Sequence, residues 1–169
     1  MIKMQLLIYV LSFLLLSCND TKEKCDDIQV RAFTHYNSNQ KLDIYNEPFN
    51  GKLLKKMDPH EEAGYILQII GAEKDFFKVS FEDLDLKNVW VKKGTLGLIT
   101  RNYDDQKLNL YSKPNLDSSV SSVLQKEQIV RVLGACNKWA YVETISDGEI
   151  KRGWLQPEMQ CANPYTTCP

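Results

Sequence analysis

The chain has 169 residues, 43% of them hydrophobic and 25% charged, with only 8 Gly and 6 Pro, which excludes collagen-like, low-complexity and extensively disordered classes. Its 21 basic and 22 acidic residues leave a formal charge of −1 and no basic stripe, so nucleic acid is not an expected partner. Apart from residues 5–17, no apolar run approaches the ~20 residues that a membrane-spanning helix requires.

Residues 1–17 read as a signal peptide: a short n-region with Lys3, an uncharged apolar run from Leu6 to Leu16, and the small residue Ser17 at the cut. Cys18 follows. Leu15-Leu16-Ser17-Cys18 resembles the lipobox of bacterial lipoproteins, and the resemblance implies lipidation of Cys18 and anchorage of the protein in a membrane by its N-terminal lipid. Several acyl chains, at ~0.8 kcal/mol per buried methylene, hold a protein firmly on a bilayer. Asn19 stands where inner-membrane lipoproteins of the best-studied Gram-negative bacteria resemble one another in having Asp, so the outer membrane is the expected location. Residues 18–27 form the lipidated cysteine and a polar tether, which is alternatively an address for surface display.

An internal repeat follows. Leu42-Asp43-Ile44-Tyr45-Asn46-Glu47-Pro48 matches Leu108-Asn109-Leu110-Tyr111-Ser112-Lys113-Pro114 at an offset of 66. Ile70-Gly71-Ala72 with Phe76 and Val79 matches Leu133-Gly134-Ala135 with Trp139 and Val142 at 63, and Val89-Trp90-Val91 matches Gly153-Trp154-Leu155 at 64. Within each copy apolar residues alternate with polar ones at the period of short antiparallel strands. In the second copy the expected strands are Leu108 to Tyr111, Ile129 to Gly134, Trp139 to Ile145 and Lys151 to Leu155. Hairpin turns are expected at residues 135–138 and at Ser146-Asp147-Gly148-Glu149, where Asp-Gly suits a type I′ turn. Ile28, Val30 and Ala32 alternate with Gln29, Arg31 and Phe33, predicting one additional strand ahead of the first copy.

The second copy, LNLYSKP, a Ser-rich loop, a strand ending in VLG, WAYVE, a turn and GWLQ, resembles the bacterial SH3-like (SH3b) family of cell-envelope proteins. The first copy is a more divergent relative, without the Gly before Trp90 and with a longer acidic segment at residues 81–86. The resemblance implies an all-β chain of two tandem small barrels, over residues 28–100 with the preceding strand and residues 101–160, and a Cys-containing tail at 161–169. It also implies binding of peptidoglycan or cell-wall peptides, with Trp90 and Trp154 at the family's structural tryptophan position. Where the family often resembles LNVRSGPS, this chain carries Tyr111 and Lys113.

Four cysteines besides Cys18, namely Cys25, Cys136, Cys161 and Cys168, favour two disulfides in an exported chain, with three connectivities open and at least one bridge expected within the last three. Their spacings lack the short pairs of a zinc site, and no metal or cofactor is expected. The chain holds only His35 and His60 as histidine bases, both in polar or acidic segments, and His60-Glu61 is followed four residues after the histidine by Gly64, not by the second histidine of a zinc peptidase. Among carboxylates, Glu61, Glu62, Asp83 and Asp85 would have to converge in a deep cleft to act on a glycosidic bond. The chain is therefore expected not to be an enzyme.

Alternation with Leu108 and Leu110 facing in turns Tyr111, Trp139, Tyr141 and Trp154 to one outer surface, with Tyr45 and Phe76 at the matching positions of the first copy. These six are the ligand-binding candidates, since clustered exposed aromatics offer large apolar area at low entropic cost. The expected function is a non-catalytic, lipid-anchored envelope protein that binds wall material. The alternative is a protein-interaction lipoprotein, a subunit of an envelope complex or an inhibitor of a secreted lytic enzyme.

Overall fold

In the computed structural model, which describes residues 25–34, 41–58, 64–104, 106–163, 166 and 168, the chain is all-β. The expected leader, Cys18, the expected tether as far as Lys24, and both His35 and His60 lie outside the described residues. The strands are β1 (Val30–Thr34), β2 (Leu42–Tyr45), β3 (Leu53–Met57), β4 (Ile66–Glu73), β5 (Phe76–Phe81), β6 (Val89–Lys92), β7 (Leu96–Thr100), β8 (Leu108–Tyr111), β9 (Val120–Leu124), β10 (Ile129–Cys136), β11 (Trp139–Ser146), β12 (Glu149–Leu155) and β13 (Gln160–Cys161). Among the described residues the only helical element is a 3-10 turn at Pro157–Met159. None of these residues forms a helix long and apolar enough to cross a membrane.

Every ladder is antiparallel, and hydrogen bonds connect the strands in the order β3-β2-β6-β5-β4-β1-β7-β10-β11-β12-β8-β9, with β13 on β7. The order is a palindrome of roles. β2 and β8, β4 and β10, β5 and β11, and β6 and β12 are the repeated segments of the sequence, and β1 borders β4 as β7 borders β10. β1 pairs with β7 through Phe33↔Gly97 and Thr34↔Leu96, so two equivalent strands meet antiparallel and relate the halves by an approximate two-fold axis. The repeat extends to irregularities: β4 has a bulge between Ile69 and Gly71, and β10 has its counterpart between Val132 and Gly134.

The additional strand expected before the first copy is β1, and it belongs to neither half alone, because it pairs with β4 on one side and β7 on the other. Ile28, Val30 and Ala32 are buried as the alternation implies, but Phe33, expected to face out, is fully buried. Arg31, two residues earlier on the same face, is exposed, so the burial is confined to the end of β1 at Phe33. β7 also borders both halves, and the boundary expected at residue 100 falls just after it.

One hydrophobic cluster runs through both halves, including Ile44, Leu67, Phe77, Phe81 and Val91 from the first and Leu110, Leu124, Val132, Val142 and Leu155 from the second. A lone half of this size buries only about 60% of the surface its unfolded chain exposes, so a shared interior matters. The connection between halves turns on buried polar groups that satisfy one another. The Thr100 hydroxyl donates to Asn102 Oδ1 at 2.7 Å, Asn102 Nδ2 donates to the Gln106 backbone carbonyl at 2.9 Å, and the Gln128 backbone N–H donates to Thr100 Oγ1 at 3.0 Å.

Two disulfides are present, Cys25–Cys136 and Cys161–Cys168. The second falls within the trio expected to hold a bridge. The first ties the segment before β1 to the tip of the β10–β11 hairpin, where the Gln29 backbone N–H also donates to the Asn137 backbone carbonyl at 2.8 Å. At the β11–β12 turn Asp147 (φ 55°) and Gly148 (φ 78°) both adopt positive φ, as a type I′ turn demands.

Candidate functional site

The outer face of the second half is built by cross-strand register. Trp154 on β12 sits opposite Tyr111 on β8 and opposite Tyr141 on β11, so three aromatic side chains form a row across three strands. Trp139 lies two residues before Tyr141 and therefore on the same face. Its ring meets Tyr111 edge-on with centroids 5.7 Å apart, and Tyr141 and Trp154 stand 5.3 Å apart at a tilt of 56°. All four are half-buried, leaving part of each ring to solvent. Gly134 closes the row beyond Tyr141. A Cβ there would come within 3.1 Å of the Tyr141 Cβ and 3.9 Å of Trp154 Cη2, so the missing side chain lets the rings pack down on β10.

The first half repeats this geometry with different chemistry. Trp90 on β6 faces Tyr45 on β2 and Lys78 on β5. Phe76 meets Tyr45 at 5.9 Å and Phe49 at 5.8 Å, both edge-on. The Lys74 ammonium lies 4.6 Å from the centre of the Phe49 ring, a cation–π contact. All six aromatic candidates thus fall on two equivalent faces, four on one and two on the other. Phe49, Lys74 and Lys78 went unremarked in the sequence, although the offset of 63 that aligns Phe76 with Trp139 also aligns Lys78 with Tyr141.

Beside Tyr45 a shallow cavity of about 340 Å³ is lined by Lys41, Asp43, Lys56, Lys92 and Thr95. Asp43 is committed on both oxygens: Oδ1 lies 3.6 Å from Lys56 Nζ, and Oδ2 accepts the Tyr45 hydroxyl at 3.2 Å. Burial of the phenol, and after it the charge and hydrogen bond of Asp43, push the Tyr45 hydroxyl above the usual tyrosine range. A phenol held protonated in the folded state stabilises the fold below its ordinary pKa, and the contribution is lost as pH rises through the higher folded value. Ultraviolet titration of the native chain and a Tyr45→Phe variant should differ by a tyrosine that ionises above about pH 10. The stability advantage of Tyr45 over Phe should shrink over the same range; a difference spectrum with its midpoint at or below pH 10 would contradict the burial.

A second cavity, of about 260 Å³, is lined by Ile129, Arg131, Glu143, Thr144, Ile145 and Ile150. Glu143 is held between Arg131 at 3.8 Å and Arg152 at 2.5 Å, which neutralises the carboxylate at that cavity. Asp83 and Asp85 are exposed in the bend between β5 and β6, and Glu61 and Glu62 lie outside the described residues. Among the described residues no three His, Cys, Asp or Glu side chains gather as a metal site.

No protein-family model matches the chain, and no curated protein does. Among solved structures, NlpC2 from Trichomonas vaginalis is 18% identical with a TM-score of 0.30, over 82% of this chain and 48% of that one. NlpC1 from the same organism is 18% identical with a TM-score of 0.30, over 90% of this chain and 50% of that one. The chain therefore spans about half the length of these structures.

Proposed function

We propose that the protein is a non-catalytic, lipid-anchored binding protein of the bacterial cell envelope, built of two tandem SH3-like barrels and directed at peptidoglycan. The observation that carries this reading is the aromatic face on each half, raised at equivalent positions by the same register and leaving half-buried rings open to solvent. Such rings bind by stacking and by apolar contact with the C–H face of a sugar or with a peptide side chain. Repetition adds avidity: a polymer that engages both faces gains affinity without any new contact. The lipobox at Cys18 supports the anchor and the outer-membrane location, and the two disulfides suit an oxidising compartment.

The chain from Asn19 onward, mixed with purified sacculi, should pellet with them. Loss of two rings in a Tyr111→Ala, Trp139→Ala variant should weaken pelleting at least about tenfold while circular dichroism stays native. A wild-type chain that remains in the supernatant at moderate salt would end wall binding as the function. The apolar patch at Ile145 and Ile150, which are 73% and 60% exposed, favours in that case the reading as a protein-interaction lipoprotein with an envelope partner.

A further inference from the structure

The two faces share a scaffold but not a charge. In the second half the row reads Tyr111, Trp154, Tyr141, with Trp139 alongside and no charged side chain among them. In the first half Lys78 stands in place of Tyr141 in that row, and Phe76 has Lys92 opposite it on β6 and the carboxylate of Glu73 opposite it on β4. The neighbouring cavity adds Lys41 and Lys56 around the single carboxylate of Asp43. Lys41 lies 3.3 Å from Asp58 and Lys56 lies 3.6 Å from Asp43, whereas Lys78 and Lys92 form no ion pair among the described residues. This concentration of ammonium groups occurs on a chain whose formal net charge is −1, so it is a local feature of the face.

We propose that the aromatic face of the first half is a site for an acidic glycan, one that carries carboxylates on its sugar rings, while the second half takes an uncharged portion of its ligand. The inference rests on the reading of both faces as binding surfaces and adds the chemistry of the first. Two features of the face must be answered together: rings (Tyr45, Phe76, Phe49) that offer apolar surface, and ammonium groups interleaved with them at strand spacing, about 4.8 Å from one strand to the next. A uronic-acid polymer answers both within each sugar, with a C–H face for a ring and a carboxylate for a lysine. An acidic peptide supplies the charge but places no apolar face on the same residue. Within the cavity Asp43 holds Lys56 and Asp58 holds Lys41, which leaves Lys92, beside Phe76, as the ammonium group offered to an incoming anion.

The test is a titration of the full chain, ¹⁵N-labelled and held in neutral detergent, with oligogalacturonate and with its methyl ester, which has the same rings and no charge. The acid should shift the Lys78 and Lys92 amides and the Trp90 indole, and the ester should bind there at least about tenfold more weakly. Raising salt to about 0.5 M should remove the difference, and so should a Lys78→Gln, Lys92→Gln variant. Pelleting of the unaltered chain with sacculi, and its loss in the Tyr111→Ala, Trp139→Ala variant, reads the second face separately, so failure here is distinct from failure of wall binding. Equal binding of acid and ester, or no shift in the first half, overturns the proposal. So does an equal response of the same lysines to polyglutamate or to phosphatidylglycerol vesicles, which would assign the face to an acidic protein or an anionic membrane.

Discussion

Removing the Cys25–Cys136 bridge with the paired changes Cys25→Ala and Cys136→Ala is expected to lower the unfolding free energy by about 5 kcal/mol, near the limit for a single cross-link. The two cysteines are 111 residues apart. In the chain-entropy account a bridge over so long a loop removes many conformations from the unfolded ensemble, and the cost of closing the loop returns when the bond is lost. The native geometry adds to this. Cys25 precedes β1, which pairs with both halves, and Cys136 ends β10 of the second half, so the bond fastens the joining strand to the far hairpin. Cys161 and Cys168 are 7 residues apart, and the same account gives about 2 kcal/mol for their bridge. That loop is held besides by the Tyr103 hydroxyl, which donates to the Cys168 carbonyl and accepts from its amide, each at 3.1 Å. Guanidinium unfolding of the native chain and both paired variants, with m-values compared, measures the two losses. If the long-range pair costs no more than the short one, the bridge does not restrain the unfolded chain as argued.

A Gly153→Ala substitution is expected to cost about 3 kcal/mol, at the upper end of ordinary overpacking. The added Cβ would sit 2.2 Å from Ser121 Oγ, 2.8 Å from Leu110 Cβ and 3.0 Å from the Tyr111 carbonyl oxygen. Ser121 has little room to withdraw, since its hydroxyl is within bonding distance of the Leu110 carbonyl at 3.1 Å and the Arg152 carbonyl at 2.8 Å, bridging β9 to β8 and β12. The displaced strand is β8, which carries Tyr111, so the aromatic row should loosen along with the fold. At Val89, the matching position of the first half, a β-branched side chain is buried, 5% exposed, and there the interior accepts it. Thermal unfolding should show a drop of about 6–12 °C. A further Ser121→Gly change should recover only part of it, because the Leu110 and Tyr111 contacts remain. A shift under about 2 °C would mean that β8 and β9 move aside at little cost.

The strands that alternate were legible: β4, β5, β10 and β11 each begin with buried residues alternating with half-buried or exposed ones. β9 was not, because Val-Ser-Ser-Val-Leu reads as part of a Ser-rich loop and only Leu124 of its five residues is buried. β3 was equally silent, with four exposed residues before Met57. Both end the sheet path, where one face and one edge meet water and the apolar signal is weakest. For the aromatic candidates, alternation decided the face on which each ring stands. It did not reveal which rings touch, or that Lys74 and Phe49 belong with them, since Phe49 lies outside any strand and reaches Phe76 only through the turn after β2.

By itself the sequence determined the all-β class, the repeat with its offsets, the type I′ turn and the outward set of aromatic residues, since all of these depend on periods of two and on local backbone preference. Only the tertiary structure decided that Cys25 joins Cys136, that β1 and β7 pair to fuse two halves into one path of hydrogen bonds, and that Phe33 is fully buried. These are contacts between residues 62 to 111 positions apart. Their partners are selected by shape and burial across the whole molecule, and no local pattern encodes them.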